Sequence, residues 1–216
     1  FDQAGERLAQ ALHRAGRPVR YAYVPRPWPL HQYQTLFAAG PGSAEMASAG
    51  RPFTLQTLRD LRERGIGLAT ISLHAGLSTY GDPDTDRRYV PAEPYLVPEA
   101  TAAAVAACRA AGGRVVAVGT TVVRTLETVA AGGNGVRAGA GVTRLRIGPG
   151  HRLAAVDGLL TGLHEPEASH LDLLGAFLDR PALDRAYAAA LGSGYLWHEF
   201  GDVCLLLPRR SGPSGR

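Results

Sequence analysis

The chain has 216 residues and a formal charge of +4; 45% of it is hydrophobic and 19% charged, proportions that fit one folded domain with a sizeable core. All 23 basic residues are Arg and none is Lys, which excludes Schiff-base chemistry and the Walker A phosphate loop, since both require a lysine amine. The only two cysteines, Cys108 and Cys204, cannot form a four-thiolate zinc site and are expected to be reduced, buried small hydrophobes.

No apolar run approaches the ~20 residues that span a bilayer. The opening "FDQAGERLAQ" lacks the basic and apolar blocks of a signal peptide, so a soluble, cytoplasmic protein with no membrane partner is expected. The sequence begins at Phe1 and its one Met is Met46, which suggests the remainder of a longer chain. Acidic residues are interspersed among the arginines, so the composition permits nucleic-acid binding without indicating it.

In chain order, residues 3–16 carry helical spacing and "RPVRYAYV" (17–24) reads as a strand. "PRPWPLHQ" is irregular, because closely spaced prolines block both helix and ladder. Thr54 with "LQTLRDLRERG" predicts a capped helix closed by Gly65. "IGLATISLHAGLSTY" (66–80) reads as a strand running into a loop, and "GDPDTDRRYVPAEPY" (81–95) as a long functional loop. Pro98 opens an Ala-rich helix that ends in glycines. "RVVAV" (114–118) then feeds a helix through Gly119-Thr120-Thr121. "VTRLRIG", "RLAAVDG" and "LLTGLH" read as strands, "EPEASHLDLLGAFL" and "PALDRAYAAALG" as helices, and "GDVCLLLP" as a last strand. Strands alternating with helices predict an α/β fold with a mostly parallel sheet and flanking helices. Residues 1–208 are expected to form that domain, and 209–216 a disordered tail.

In such a fold, ligands gather where strands end and helices begin. Four corners qualify: "SLHAGLSTYGD" (72–82), "VGTTVVRT" (118–125), "TGLHEPEAS" (161–169) and "WHEFGD" (197–202). Three of them contain a histidine. Each is a weak signal alone, and their recurrence is the informative part. The Gly119 corner lacks G-x-G-x-x-G and so is no dinucleotide fingerprint. Its N–H groups favour a carboxylate at the helix start. Arg124 and Glu127 lie three apart on that helix and either pair with each other or leave Arg124 to hold a carboxylate.

These stretches, with "FTLQTLRDLRERGIGLATISLHAGLSTY", "GGRVVAVGTTVVRTLETVAA", "IGPGHRLAAVDGLLTGLHEPEASHLDLLGAFL" and "YLWHEFGDVCLLL", follow one another in the order of a known family. The chain resembles the S-adenosylmethionine:tRNA ribosyltransferase-isomerases of queuosine biosynthesis over about residues 31–207. The resemblance implies the large α/β domain of a two-domain family, without its front portion and inserted β-barrel. It implies S-adenosylmethionine as a ribosyl donor, tRNA as partner and no metal. The aminomethyl group of a 7-deazaguanine attacks the ribose, adenine leaves, and methionine departs as the sugar becomes an epoxycyclopentane. The sulfonium acidifies the 5′-carbon, so a carboxylate or imidazole base can start the sequence.

Carried over position by position, the resemblance makes Glu93, His74 and His164 catalytic. It assigns Gly76, Thr79, Tyr80, Tyr95, Gly119, Thr120, Thr121, Arg124 and Asp202 to substrate binding, with Thr120, Thr121 and Arg124 on the donor's carboxylate. Some family positions depart together: Glu45 and Met46 replace Ala-Pro, Pro52, Pro91 and Pro94 replace aromatic or imidazole residues, Gly162 replaces Asn, and Glu167 replaces Lys. An anion where a cation stood repels phosphate. Two alternatives therefore stand beside tRNA modification. One is a diverged paralogue using the same donor on a small acceptor or cleaving it, and the other is a non-catalytic adenosyl-ligand binder.

Overall fold

The computed structural model describes residues 2–77, 82, 85, 89–165 and 170–208. The expected tail at 209–216 lies outside them. An amphipathic helix α1 (Gly5–Ala15) is followed by irregular chain containing two short 3-10 turns, Leu30–Tyr33 and Ser48–Gly50. Helix α2 (Leu55–Glu63) starts where Thr54 accepts a hydrogen bond from the Thr57 N–H, as the sequence predicts.

The expected mostly parallel sheet is not what forms. Strands β1 (Ser72–Leu73), β2 (Glu93–Val97) and β4 (Gly139–Thr143) make one antiparallel sheet, in the order β1-β2-β4. Strands β3 (Val116–Val118), β5 (Gly158–Gly162) and β6 (Val203–Leu206) make a second, ordered β3-β5-β6. Among the described strand pairs only β3–β5 is parallel. Helices α3 (Glu99–Ala110), α4 (Thr120–Ala130), α5 (His170–Leu174) and α6 (Arg180–Gly192) complete the α/β arrangement.

Three sequence expectations fail for identifiable reasons. Residues 17–24 form no strand, because the Tyr21 N–H donates to the Glu199 carboxylate at 2.9 Å instead of joining a ladder. Residues 152–157 form none either, since the N–H groups of Ala154, Ala155 and Val156 all donate to Glu127. Conversely, the supposed loop 81–95 ends in β2 despite Pro94. The Pro94 carbonyl accepts from the His74 N–H at 3.0 Å, so the proton its nitrogen lacks also falls on the β1 side. The pairing with β4 is left intact.

The core lies between the inner face of the second sheet (Ala117, Leu159, Leu206) and one stripe of α4 (Val123, Leu126, Ala130), closed by Leu173, Leu174, Phe177, Leu183 and Tyr187. This packing sets the Gly119 corner, because Gly119 N–H bonds the Leu160 carbonyl at 2.9 Å. Its φ of 99° requires a residue without Cβ. Of the two alternatives for Arg124, pairing with Glu127 does not occur: Arg124 bonds Glu93 instead. Glu127 is 3% exposed and serves as a staple, gathering residues 154–156 onto α4. Glu127→Ala orphans three N–H groups, two of whose hydrogen bonds are fully buried. It should lower unfolding stability by about 3 kcal/mol or more in urea titration, with Glu127→Gln losing less.

Candidate active site at the strand tips

Near the ends of β2, β3, β5 and β6, half of the sequence-derived residues fall into two groups. The first is built on β2. Glu93 is buried, and it accepts from Arg124 Nη1 at 2.5 Å. Arg124 also donates from Nε to the Leu145 carbonyl (2.8 Å) and from Nη2 to the Pro91 carbonyl (3.2 Å). The guanidinium expected on a substrate carboxylate is thus engaged by the protein itself, binding α4 to β2 and its flanking loop. Burial raises the Glu93 pKa more than Arg124 and the Gly76 N–H lower it, and Glu45 raises it further. Tyr95 shares the Glu93 face of β2 and lays its ring against Gly141. His74 follows β1, with its Nδ1 buried and without a hydrogen-bond partner among the described residues.

The second group gathers at the tips of β5 and β6. His164 is 5% exposed; its Nε2 meets the Thr161 hydroxyl at 3.0 Å, and its Nδ1 is unpartnered among the described residues. It stacks on His170 with centroids 4.3 Å apart and planes at 4°, and it touches His198 at 4.8 Å. His198 Nδ1 lies 3.1 Å from the Tyr23 hydroxyl and 3.8 Å from Glu165. Burial pushes His170 and His198 down to about 4 and His164 well below its ordinary value, so all three rings are neutral. The Arg124 charge also lowers His170, which ties the two groups together.

Carboxylates border both groups. Burial raises Glu165 and Glu199, and Glu45 raises Glu199 as it does Glu93. Tyr21 bridges Glu45 and Glu199, donating its hydroxyl to the first (3.2 Å) and its N–H to the second (2.9 Å). Phe200 adopts φ 63°, a left-handed conformation that is costly for an aromatic residue. Tyr33 at 4.8 Å, Trp28 at 5.8 Å and the Arg51 guanidinium at 4.4 Å surround its ring.

Other expected residues divide. Thr120 and Thr121 open α4, and Gly119 makes no side-chain cap there. Asp202 is used internally: its Oδ2 accepts from the Leu196 N–H at 2.8 Å and its carbonyl from the Leu163 N–H at 3.2 Å, closing the 196–202 turn. Thr79, Tyr80, Pro166 and Glu167 lie outside the described residues. Sequence reasoning missed Tyr21, Tyr23, Glu165, His170, His198 and Glu199. The available signal was the density of His and Glu in "HEPEASH" and "WHEF". Both cysteines are free. Among the described residues no cluster of three metal-type ligands occurs, and no helix is long and apolar enough to cross a membrane.

Two measurements probe this arrangement. Arg124→Ala leaves a buried carboxylate unpaired and should cost about 3–5 kcal/mol of stability in denaturant titration. Separately, His170 and His198 bind protons near pH 6.5 when unfolded but only near 4 when folded. Their contribution therefore falls as pH drops through that window. The raised Glu93, Glu165 and Glu199 act with the opposite sign, so the comparison is with variants. His170→Phe and His198→Phe should each flatten the loss between pH 6.5 and 4, and NMR should find both parent rings still neutral at pH 5.

Known proteins extend the picture. A family model described as "Queuosine biosynthesis protein" matches residues 1–206. The chain is 43% identical over 200 residues to the S-adenosylmethionine:tRNA ribosyltransferase-isomerase of Moorella thermoacetica, covering 91% of this chain and 58% of that protein. It is 42% identical over 204 residues to the enzyme so named from Thermus thermophilus, covering 93% and 59%. The crystal structure of the S-adenosylmethionine tRNA ribosyltransferase of Thermotoga maritima matches with a TM-score of 0.60 at 34% identity, over 74% of this chain and 51% of that one. The chain thus spans less than two thirds of the length of these relatives. By family match and by identity alike, it belongs to the queuosine biosynthesis protein family.

Proposed function

We propose that the strand-tip site binds S-adenosylmethionine as a ribosyl donor for the aminomethyl group of a 7-deazaguanine in tRNA, with release of adenine and methionine. The names of the relatives support the donor and the acceptor class. The observation that carries the reading is the ring of partly or fully desolvated carboxylates, Glu93, Glu165 and Glu199 with Glu45 beside them. Carboxylates stripped of water favour a compact cation, and both the sulfonium donor and an ammonium acceptor are cations.

Within this reading Glu93 is the base that removes the acidified 5′ proton, its raised pKa suiting it to that task. The start of α4 at Thr120 and Thr121 receives the donor's carboxylate. Arg124 acts by holding Glu93 in place. His74 and His164, each with an unpartnered ring nitrogen among the described residues, face the nucleoside. The Gly76 N–H lowers the Glu93 pKa, and the family motif alone assigns Thr79 to substrate binding and Tyr80 to the adenine. Tyr95 lines the β2 side.

A second reading is favoured by the same carboxylates. Glu45, Glu165 and Glu199 repel phosphate, as a site for a small amine acceptor, or for donor cleavage alone, would do. Chromatography of released adenine separates the two. Release that requires substrate tRNA supports tRNA modification, and equal release without tRNA supports the second reading. In either case Glu93→Gln should lower turnover by at least ~100-fold while calorimetry finds donor binding preserved. Unchanged turnover would remove Glu93 from the base role.

A further inference from the structure

We infer that His198 is a further substrate-contacting residue, which Tyr23 holds with its proton on Nε2 so that it donates a hydrogen bond to a ring nitrogen of the departing base. This rests on the reading that a nucleoside donor loses its base in this site.

The placement of His198 is built into the sheet. Gly162, at the end of β5, lies directly under it: a Cβ added there would come within 2.1 Å of His198 Cβ. The family pattern carries Asn at that position, so this chain gives up one polar side chain at the strand tip and sets an imidazole in the space. The His198 N–H bonds the Leu163 carbonyl at 2.8 Å, which fixes the backbone from which the ring projects.

The ring's tautomer follows from its partners. The Tyr23 hydroxyl is 3.1 Å from Nδ1. Among the described residues Nδ1 is the one hydrogen-bond partner of the Tyr23 hydroxyl, so the phenol's single hydrogen finds an acceptor there only if Tyr23 donates and Nδ1 accepts. Glu165 itself, 3.8 Å from Nδ1, is too far to claim a proton there. A neutral imidazole that accepts at Nδ1 carries its hydrogen on Nε2. Among the described residues Nδ1 alone of the two ring nitrogens has a hydrogen bond.

The surroundings select the ligand part. Tyr21 stacks on Tyr23 with centroids 5.5 Å apart and meets the His198 ring edge-on at 5.0 Å, and His164 lies on the other side at 4.8 Å. The aromatic and imidazole faces packed around His198 suit a flat heterocycle, and the carboxylates that border it, Glu165 at 3.8 Å among them, suit the donor's cationic centre close by. When the C1′–N9 bond breaks, its electron pair moves onto the base and its ring nitrogens gain negative charge. The hydrogen bond from Nε2–H to that nitrogen strengthens, the proton stays on His198, and the base takes its final proton from water.

The test uses two substitutions and altered donors. Asn at 198 keeps a group where Nδ1 stood but does not reach as far as Nε2, whereas Gln places an amide nitrogen near the Nε2 position. His198→Asn should lower kcat for adenine release ~100-fold at unchanged donor Kd, the scale of one lost transition-state donor. His198→Gln should recover most of that loss, and Tyr23→Phe should give a smaller fall. With S-adenosylmethionine analogues carrying CH for N3 or for N7, one analogue should slow the unaltered protein by a comparable factor and slow His198→Asn no further. Additive losses with both analogues, or equal kcat in all variants, overturn the inference while leaving donor use intact. Failure of the unaltered protein to bind the donor overturns the underlying reading as well.

Discussion

The Glu93–Arg124 ion pair is the contact on which the site depends. Glu93 sits on β2 of the antiparallel sheet, and Arg124 on the helix that follows β3 of the other. The Thr128–Thr143 hydroxyl contact at 2.7 Å is a second polar tie between α4 and the antiparallel sheet. A buried ion pair adds little net stability because desolvation offsets attraction. Its contribution is geometric. Three directed donations from one guanidinium, to Glu93, Pro91 and Leu145, fix the tip of β2 over the start of α4. Glu93 is thereby held beside the first turns of α4.

Around that contact the site separates by polarity. Glu45 acts electrostatically on both Glu93 and Glu199, so the acidic groups form one field. Beyond them the imidazoles of His164, His170 and His198 are packed so closely that water cannot support a charge on any of them.

Much of the fold was legible from local chemistry. The Thr54 cap, the Ala-rich α3 and the Gly119 corner follow from capping, propensity and the left-handed glycine, all short-range effects. The sheet order was not legible, because alternating strand and helix patterns do not reveal which strands pair. The false strand at 152–157 looked like a strand because its apolar residues are buried, but a distant carboxylate had taken its N–H groups. The motif resemblance singled out Glu93, Arg124 and His164, but it could not show that Arg124 would be consumed by Glu93. His198 and Tyr23 are 175 positions apart, and only the folded chain joins them.

The left-handed backbone at Phe200 ties distant parts of the chain into one mechanical unit. That conformation is tolerated because Trp28, Tyr33 and Arg51 enclose the ring, and all three belong to the irregular region between α1 and α2. If that region peeled away, the torsional cost would be released and the neighbouring turn, with His198 and Asp202, would relax with it. The irregular N-terminal region and the last turn before β6 therefore melt together, and a ligand gripped by either would be felt simultaneously at both ends of the polypeptide.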